Sequence, residues 1–187
     1  MLRIASGEFK GLPLKVPASV RATESKVRQA IFNILGDFIA GARVLDGFAG
    51  SGSLGIEALS RGAAFVAFIE LETDAVLCLR DNLERLTQAG LSRGAWRLLH
   101  LDIERGLREL ARNGMPFDVI LLDPPYRCDE GKNALNSVGE CAMLARDGVL
   151  AIEHHRRTVY PPSIGPLRQR RQHRYGDTVL SLYQVTP

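Results

Sequence analysis

The sequence predicts an α/β fold, in which a mostly parallel sheet carries helices on both faces and ends in an antiparallel hairpin. Three observations point there. Short runs that are apolar almost throughout recur near 43–46, 64–70, 96–101, 117–122 and 149–153, as suits parallel strands buried on both faces. Helical patterns separate them near 54–61, 73–89, 103–113 and 133–145, with Gly62, Gly90, Gly114 and Gly148 placed as helix-ending glycines. Acids close the runs at Asp46, Glu70, Asp102 and Asp123, at the carboxyl ends of strands where open α/β sheets bind ligands.

The elements follow in order. RIASGEFKGLPLKVP has short apolar stretches broken by Gly7, Gly11, Pro13 and Pro17, the pattern of a β-hairpin. Thr23 then precedes a helical pattern in which Val27, Ile31, Ile34 and Phe38 recur on one face, with Gly41 after it. These two pieces form an expected N-terminal extension over 1–40, and 41–187 the expected catalytic domain. The α/β alternation fills most of that domain. Its last pair of runs, LRQRRQHR and TVLSLYQV, flanks Tyr175-Gly176-Asp177 and reads as an antiparallel hairpin. There are no internal repeats and no low-complexity tract.

At 187 residues the chain can bury one substantial core and has no room for a second large domain. No apolar run approaches the ~20 residues of a membrane span, and MLRIASGEFKG lacks the apolar core of a signal peptide. A cytoplasmic protein with no membrane partner is expected, and nothing calls for more than a monomer. Cys78, Cys128 and Cys141 form no C-x-x-C pair, and the four histidines lack metal-ligand spacing. Reduced thiols and metal-free chemistry follow.

The net charge of +3 hides an asymmetry. Residues 1–40 hold six Lys/Arg against three acids, residues 156–187 six against one, and the middle twelve against seventeen. Basic ends on an acidic body suit a polyanionic partner, because Lys and Arg neutralise phosphates and release counterions. The candidate residues for such a partner are Arg3, Lys10, Lys15, Arg21, Arg28, Arg168, Arg170 and Arg171. The alternative is solvated surface charge, with the last three protecting an edge strand.

The chemistry concentrates in two motifs. In Val44-Leu45-Asp46-Gly47-Phe48-Ala49-Gly50-Ser51-Gly52-Ser53-Leu54-Gly55 a strand runs into an acid, a small-residue loop and a helix. Gly50, Gly52 and Gly55 also spell the dinucleotide fingerprint G-x-G-x-x-G. Asp46 separates the readings: a carboxylate there repels a pyrophosphate but attracts the ammonium and sulfonium of S-adenosylmethionine. Phe48, Ala49, Gly50, Ser51 and Gly52 would then line that cofactor. Glu70, twenty residues beyond Gly50, stands where an acid accepts ribose hydroxyls. Asp102 suits either the adenine amino group or the N-cap of the next helix.

The second motif is Asp123-Pro124-Pro125-Tyr126. The Asp123 carboxylate and the Pro124 carbonyl are both acceptors, on a peptide stiffened by proline, and together they can hold the two N–H groups of a planar amine. Tyr126 offers an aromatic face for a nucleobase.

With these residues in place the chain resembles the class I S-adenosylmethionine-dependent methyltransferases, and within them the RsmD type, which methylates the exocyclic N2 of a guanine in 16S ribosomal RNA. The resemblance rests on GEFKGLPLKVP, VRQAIFNIL, FAGSGSLGIEALSRGA, DPPY and RYGDT in that order, and spans nearly the whole chain. It implies a Rossmann-like, seven-stranded sheet with the last hairpin antiparallel, and an N-terminal extension that helps grip RNA within a small-subunit particle. Two positions depart from the family pattern: Arg21-Ala22-Thr23 replaces Arg-Pro-Thr, and Gly47 stands where Leu is common. Three rival readings are an N6-adenine DNA methyltransferase, an NAD-dependent oxidoreductase, and an inert RNA-binding assembly factor. Asp46 and DPPY oppose the second, and the intact set of Asp46, Glu70 and DPPY opposes the third.

Overall fold

A computed structural model of the chain describes residues 2–17, 25–112, 114, 116–125 and 129–186. Its centre is an eight-stranded sheet built from β3 (Arg43–Gly47), β4 (Phe65–Glu70), β5 (Trp96–His100), β6 (Phe117–Leu122), β7 (Leu144–His155), β8 (Ser163–Ile164), β9 (Leu167–Tyr175) and β10 (Thr178–Val185). The order across the sheet is β5-β4-β3-β6-β7-β10-β9-β8. Strands β3 to β7 are mutually parallel, whereas β10 runs antiparallel to both β7 and β9. Strand order therefore reverses between β3 and β6, and the crevice above that switch point is where such sheets take ligands.

Adjacent residues of each parallel strand face opposite sides, and both sides are dry. Val44, Phe68, Val119, Leu121 and Ala151 pack on one side with Val27, Ile31, Phe32 and Leu35 of α1 (Ser25–Leu35). That side also holds Leu54 and Ile56 of α2 (Ser53–Ser60) and Leu79, Leu83 and Leu86 of α3 (Thr73–Gln88). On the other side Leu45, Ile69, Ile120 and Ile152 meet Ile103, Leu107 and Leu110 of α4 (Ile103–Ala111), and Ala134, Leu135 and Val138 of α5 (Glu130–Glu140). Burial on both faces is the physical reason the runs are apolar without alternation. Among the described residues no helix is long and apolar enough to cross a membrane.

The N-terminal hairpin is minimal. Its strands β1 (Leu2–Arg3) and β2 (Pro13–Leu14) pair antiparallel, and the segment between them is fastened to α2. Ala5 N donates to Glu57 Oε2 (2.7 Å), Phe9 N to Ser60 Oγ (3.0 Å) and Glu8 N to the Ser60 carbonyl (2.7 Å). Gly7, at φ +82°, lies so close to the Ser60 carbonyl that no side chain fits there. Ile4, Phe9 and Leu14 join the same core cluster as the sheet.

Several expectations need correction. The sheet has an eighth strand, β8, because Ser163 and Ile164 pair with Arg168 and Leu167 at the outer edge. The last parallel-side helix ends at Glu140 and does not run to 145, since Ala142 turns left-handed (φ +47°) and β7 begins at Leu144. Gly148 consequently lies within β7, pressed against the Asp118 carbonyl, and ends no helix. On α1 the buried stripe is Val27, Ile31, Phe32 and Leu35, while Ile34 and Phe38 are exposed. Helical phase is lost after Leu35, where Gly36 adopts φ +52° and a 3-10 turn carries Phe38 outward.

Candidate active site

Strand β3 delivers Asp46 to the switch point, and the backbone then turns sharply. Phe48 (φ +68°), Gly50 (φ +55°) and Gly52 (φ +81°) all take left-handed conformations. The N–H groups of Phe48 and Ala49 both donate to the Ile69 carbonyl at 3.1 and 3.0 Å, which pins the loop to the end of β4. At Gly52 a Cβ would lie 3.1 Å from Ile56 Cδ1 and closer still to Leu79 Cδ1, so only glycine allows the approach to α3. Gly47 is equally confined, by Leu122 Cδ2 and Ile103 Cδ1 at 2.7 and 2.8 Å from its ideal Cβ. Those two side chains fill the space that a larger residue would occupy at this position.

The acids hold this loop from behind. Asp46 is 1% exposed, and its Oδ2 accepts the Gly55 N–H at 2.7 Å, joining β3 to the first turn of α2. Burial, with Asp123 and Glu70 nearby, pushes the Asp46 carboxyl up to about 8, against the Gly55 hydrogen bond that favours the anion. Glu70 accepts the Gly50 N–H on Oε2 (2.6 Å) and the N–H groups of Leu71 and Glu72 on Oε1 (2.8 Å each). One oxygen thus keeps a single donor and retains room for another. Asp102 is the N-cap of α4, its Oδ1 accepting from Arg105 N at 2.9 Å.

Asp123 follows β6 directly, and β6 is the neighbour of β3, with Asp46 opposite Leu121 and Gly47 opposite Leu122. The structure therefore brings Asp123, Asp46, Glu70 and the Phe48–Gly52 loop to one end of the sheet. Pro124 is buried and Pro125 exposed, while Tyr126 lies outside the described residues.

A residue that sequence reasoning missed completes the loop's support. Asn82 is fully buried on α3, and its Nδ2 donates to the Ser51 carbonyl (3.1 Å) and the Lys15 carbonyl (2.9 Å). Its Oδ1 accepts the Lys15 N–H at 2.9 Å. One side chain thereby ties the loop to the N-terminal extension. The available signal was a polar residue inside the apolar stripe Ala75, Val76, Leu79, Leu83 and Leu86.

The basic candidates separate into groups. Arg3, Lys10 and Lys15 are exposed on the extension, with Lys15 Nζ 2.7 Å from Asp81. Arg168, Arg170 and Arg171 are exposed on β9, three strands from β6. Arg28 departs from expectation. It is 4% exposed, donates from Nη2 to the Arg3 carbonyl at 3.0 Å, and its burial holds it below the usual arginine range, so it is an internal brace with no surface for a phosphate. Arg21 lies outside the described residues.

A family model described as Conserved hypothetical protein 95 matches residues 2–184. The chain belongs to this family. It is similar to the Bacillus subtilis protein YlbH, with 39% identity over 185 residues that cover 98% of each chain. It is also similar to Ribosomal RNA small subunit methyltransferase D of Escherichia coli, with 32% identity over 98% of this chain and 89% of that one. The solved structure of yhhF from Escherichia coli superposes with a TM-score of 0.84 at 31% identity, covering 100% of this chain and 98% of that one. The fold is that of the class I S-adenosylmethionine-dependent methyltransferases, and S-adenosylmethionine is the cofactor. The residues present suit it: the loop backbone carries no side chains at Gly50 and Gly52, and the acids Asp46, Glu70 and Asp123 gathered around it favour a cationic ligand, with burial first and then Asp123 and Glu70 raising the Asp46 carboxyl.

Proposed function

We propose that the chain transfers the methyl group of S-adenosylmethionine to the exocyclic N2 of a guanine in small-subunit ribosomal RNA. The observation that carries this reading is the position of Asp123-Pro124-Pro125 at the switch point, one strand from Asp46 and its loop. The names of the Escherichia coli relative and its counterparts support the ribosomal substrate.

When bound, S-adenosylmethionine supplies a methyl group on a sulfonium, ready to be attacked. Phe48, Ala49, Gly50, Ser51 and Gly52 would line it, Glu70 would accept a ribose hydroxyl, and Asp102 would meet the adenine amino group from its capping position. Asp46 would act through the loop, as a buried negative charge beneath a cationic ligand.

Guanine N2 is a poor nucleophile because its lone pair is delocalised into the ring. Asp123 and the Pro124 carbonyl accept its two N–H groups and favour the pyramidal nitrogen that forms as N2 attacks, a stabilisation specific to the transition state. The bound cofactor would supply the methyl group and leave as the thioether with the sulfur–carbon electron pair, while Asp123 holds an N2 hydrogen whose proton passes to water once the nitrogen is cationic. Pro125 stiffens the turn and Tyr126 stacks on a base turned out of its RNA context. Arg3, Lys10, Lys15 and Arg21 on the 1–40 extension, with Arg168, Arg170 and Arg171, contact phosphates. The 41–187 domain carries the chemistry. The acting form is a cytoplasmic monomer on a small-subunit particle.

The test is transfer of labelled methyl to small-subunit particles, naked small-subunit RNA and duplex DNA, followed by nucleoside analysis. N2-methylguanine in either RNA sample is the expected product. N6-methyladenine in DNA, or no label despite cofactor binding, would overturn the reading.

A further inference from the structure

Behind Pro124 the structure contains a contact that the reaction as described leaves unused. Gly131 sits in the first turn of α5, and a Cβ there would be 2.9 Å from Pro124 Cγ and 3.0 Å from Tyr160 Cζ, and closer still to Tyr160 Oη. The helix backbone, the Pro124 ring and the Tyr160 ring therefore meet at a point where only a hydrogen fits. Tyr160 itself is buried (7% exposed) and belongs to the core cluster beneath the sheet.

Tyr160 is held in turn by β7, which the C-terminal hairpin backs. Its ring lies edge-on to His154, with centroids 4.9 Å apart and planes at 75°. His154 Nδ1 donates to the His155 carbonyl at 3.1 Å, which leaves Nε2 as an acceptor for the Ser181 hydroxyl at 2.8 Å. Burial holds His154 below the usual histidine range, in keeping with that neutral tautomer. Ser181 also accepts from Gln172 Nε2 at 3.1 Å. The loop after His155 is fastened too, with Thr158 N on the His155 carbonyl (2.8 Å) and Tyr183 Oη on the Pro161 carbonyl (2.9 Å).

We propose that Tyr160, seated against Gly131, is a positioning residue that sets the Pro124 carbonyl for the acceptor amine. The proposal rests on the tetrad being the acceptor site. Pro124 has no N–H with which to anchor itself, so its place is set by what packs on its ring. The side of that ring towards α5 is closed by Gly131 and Tyr160. A displacement of even about 1 Å at a reacting centre can cost roughly 100-fold in rate, so a rigid backing is worth a glycine inside a helix.

The test compares Gly131→Ala, Tyr160→Phe and the double variant, with wild type and Asp123→Ala as references. Single-turnover methyl transfer, S-adenosylmethionine affinity by calorimetry and melting temperature are read for each. Gly131→Ala should lower the rate at saturating substrate by about tenfold or more with cofactor affinity within about twofold. Adding Tyr160→Phe, which removes the atom nearest the new methyl, should restore at least about threefold of that loss. A rate for Gly131→Ala within about twofold of wild type would overturn the proposal, as would equal losses in the single and double variants. A parallel collapse of cofactor affinity and melting temperature would also overturn it, by showing a merely structural role. Full activity in Asp123→Ala would instead remove the reading of the tetrad on which the proposal stands.

Discussion

Asp46 shows how much a single residue's environment decides. The sequence places an acid at the end of β3, and the nature of the loop makes a cationic ligand the better partner for it. The structure adds that the acid is buried, raised to about 8 mainly by desolvation, and already bonded to Gly55. Two consequences have definite signs. In the cofactor-free protein the folded state keeps a proton on Asp46 that the unfolded state has lost, so stability falls as pH rises from about 4 to about 8. Asp46→Asn should flatten that slope, which reaches at most about 1.4 kcal/mol per pH unit for one proton, in denaturant unfolding followed across pH 5 to 8. A bound cation lowers the Asp46 pKa and expels the proton. Cofactor affinity of the wild type should therefore increase with pH up to about 8, with proton release visible by calorimetry in buffers of different ionisation enthalpy. Asn82 marks the limit of reading at this scale. Its three hydrogen bonds reach Lys15 and Ser51, far apart in sequence, and no local pattern foretells partners at that separation.

At the level of elements, strands were more legible than helix faces. The parallel strands announce themselves because burial on both sides leaves no alternation to misread. Helix α1 offers two overlapping apolar stripes, one through Val27, Ile31, Ile34 and Phe38 and one through Val27, Ile31, Phe32 and Leu35. The helix itself buries the second stripe and leaves Ile34 exposed, and the 3-10 turn after Leu35 then carries Phe38 outward. Arg28 belongs to the second stripe, four residues before Phe32, and goes inward with it. Helix α5 ended early for a reason that composition hides. Its left-handed terminus is Ala142, and an alanine gives no warning of φ +47°. Ala142→Gly should then relieve strain and stabilise the protein by about 1 kcal/mol, read as a higher denaturant midpoint at unchanged slope. An unchanged or lower midpoint would contradict that account of the helix end.

On the scale of the whole molecule, the acids are collected by topology. Asp46, Glu70 and Asp123 are up to 77 residues apart in the chain, yet parallel strands that start from one edge must end at the other, and the reversal between β3 and β6 opens the crevice there. That gathering was legible because each acid closes an apolar run. The proposed RNA-facing surface was less so, since a count of basic residues cannot tell Arg28, sealed under the extension, from Arg170 in the open. Replacing Arg168, Arg170 and Arg171 together by alanine should weaken RNA binding and reduce its salt dependence, by a slope change of about two to three. Cofactor affinity and melting temperature should stay near wild type, because these side chains are exposed on β9, away from Asp46 and its loop. A full-strength salt slope in the triple variant would place the RNA elsewhere.

Asp123 and the Pro124 carbonyl are proposed to receive the amine on which methyl transfer occurs. Single-turnover transfer to small-subunit particles by Asp123→Ala, measured beside its S-adenosylmethionine affinity, addresses this role most directly. The rate should fall by at least about 100-fold, as for loss of a principal transition-state acceptor, with cofactor affinity within a few-fold of wild type. Near-normal transfer by Asp123→Ala would contradict it.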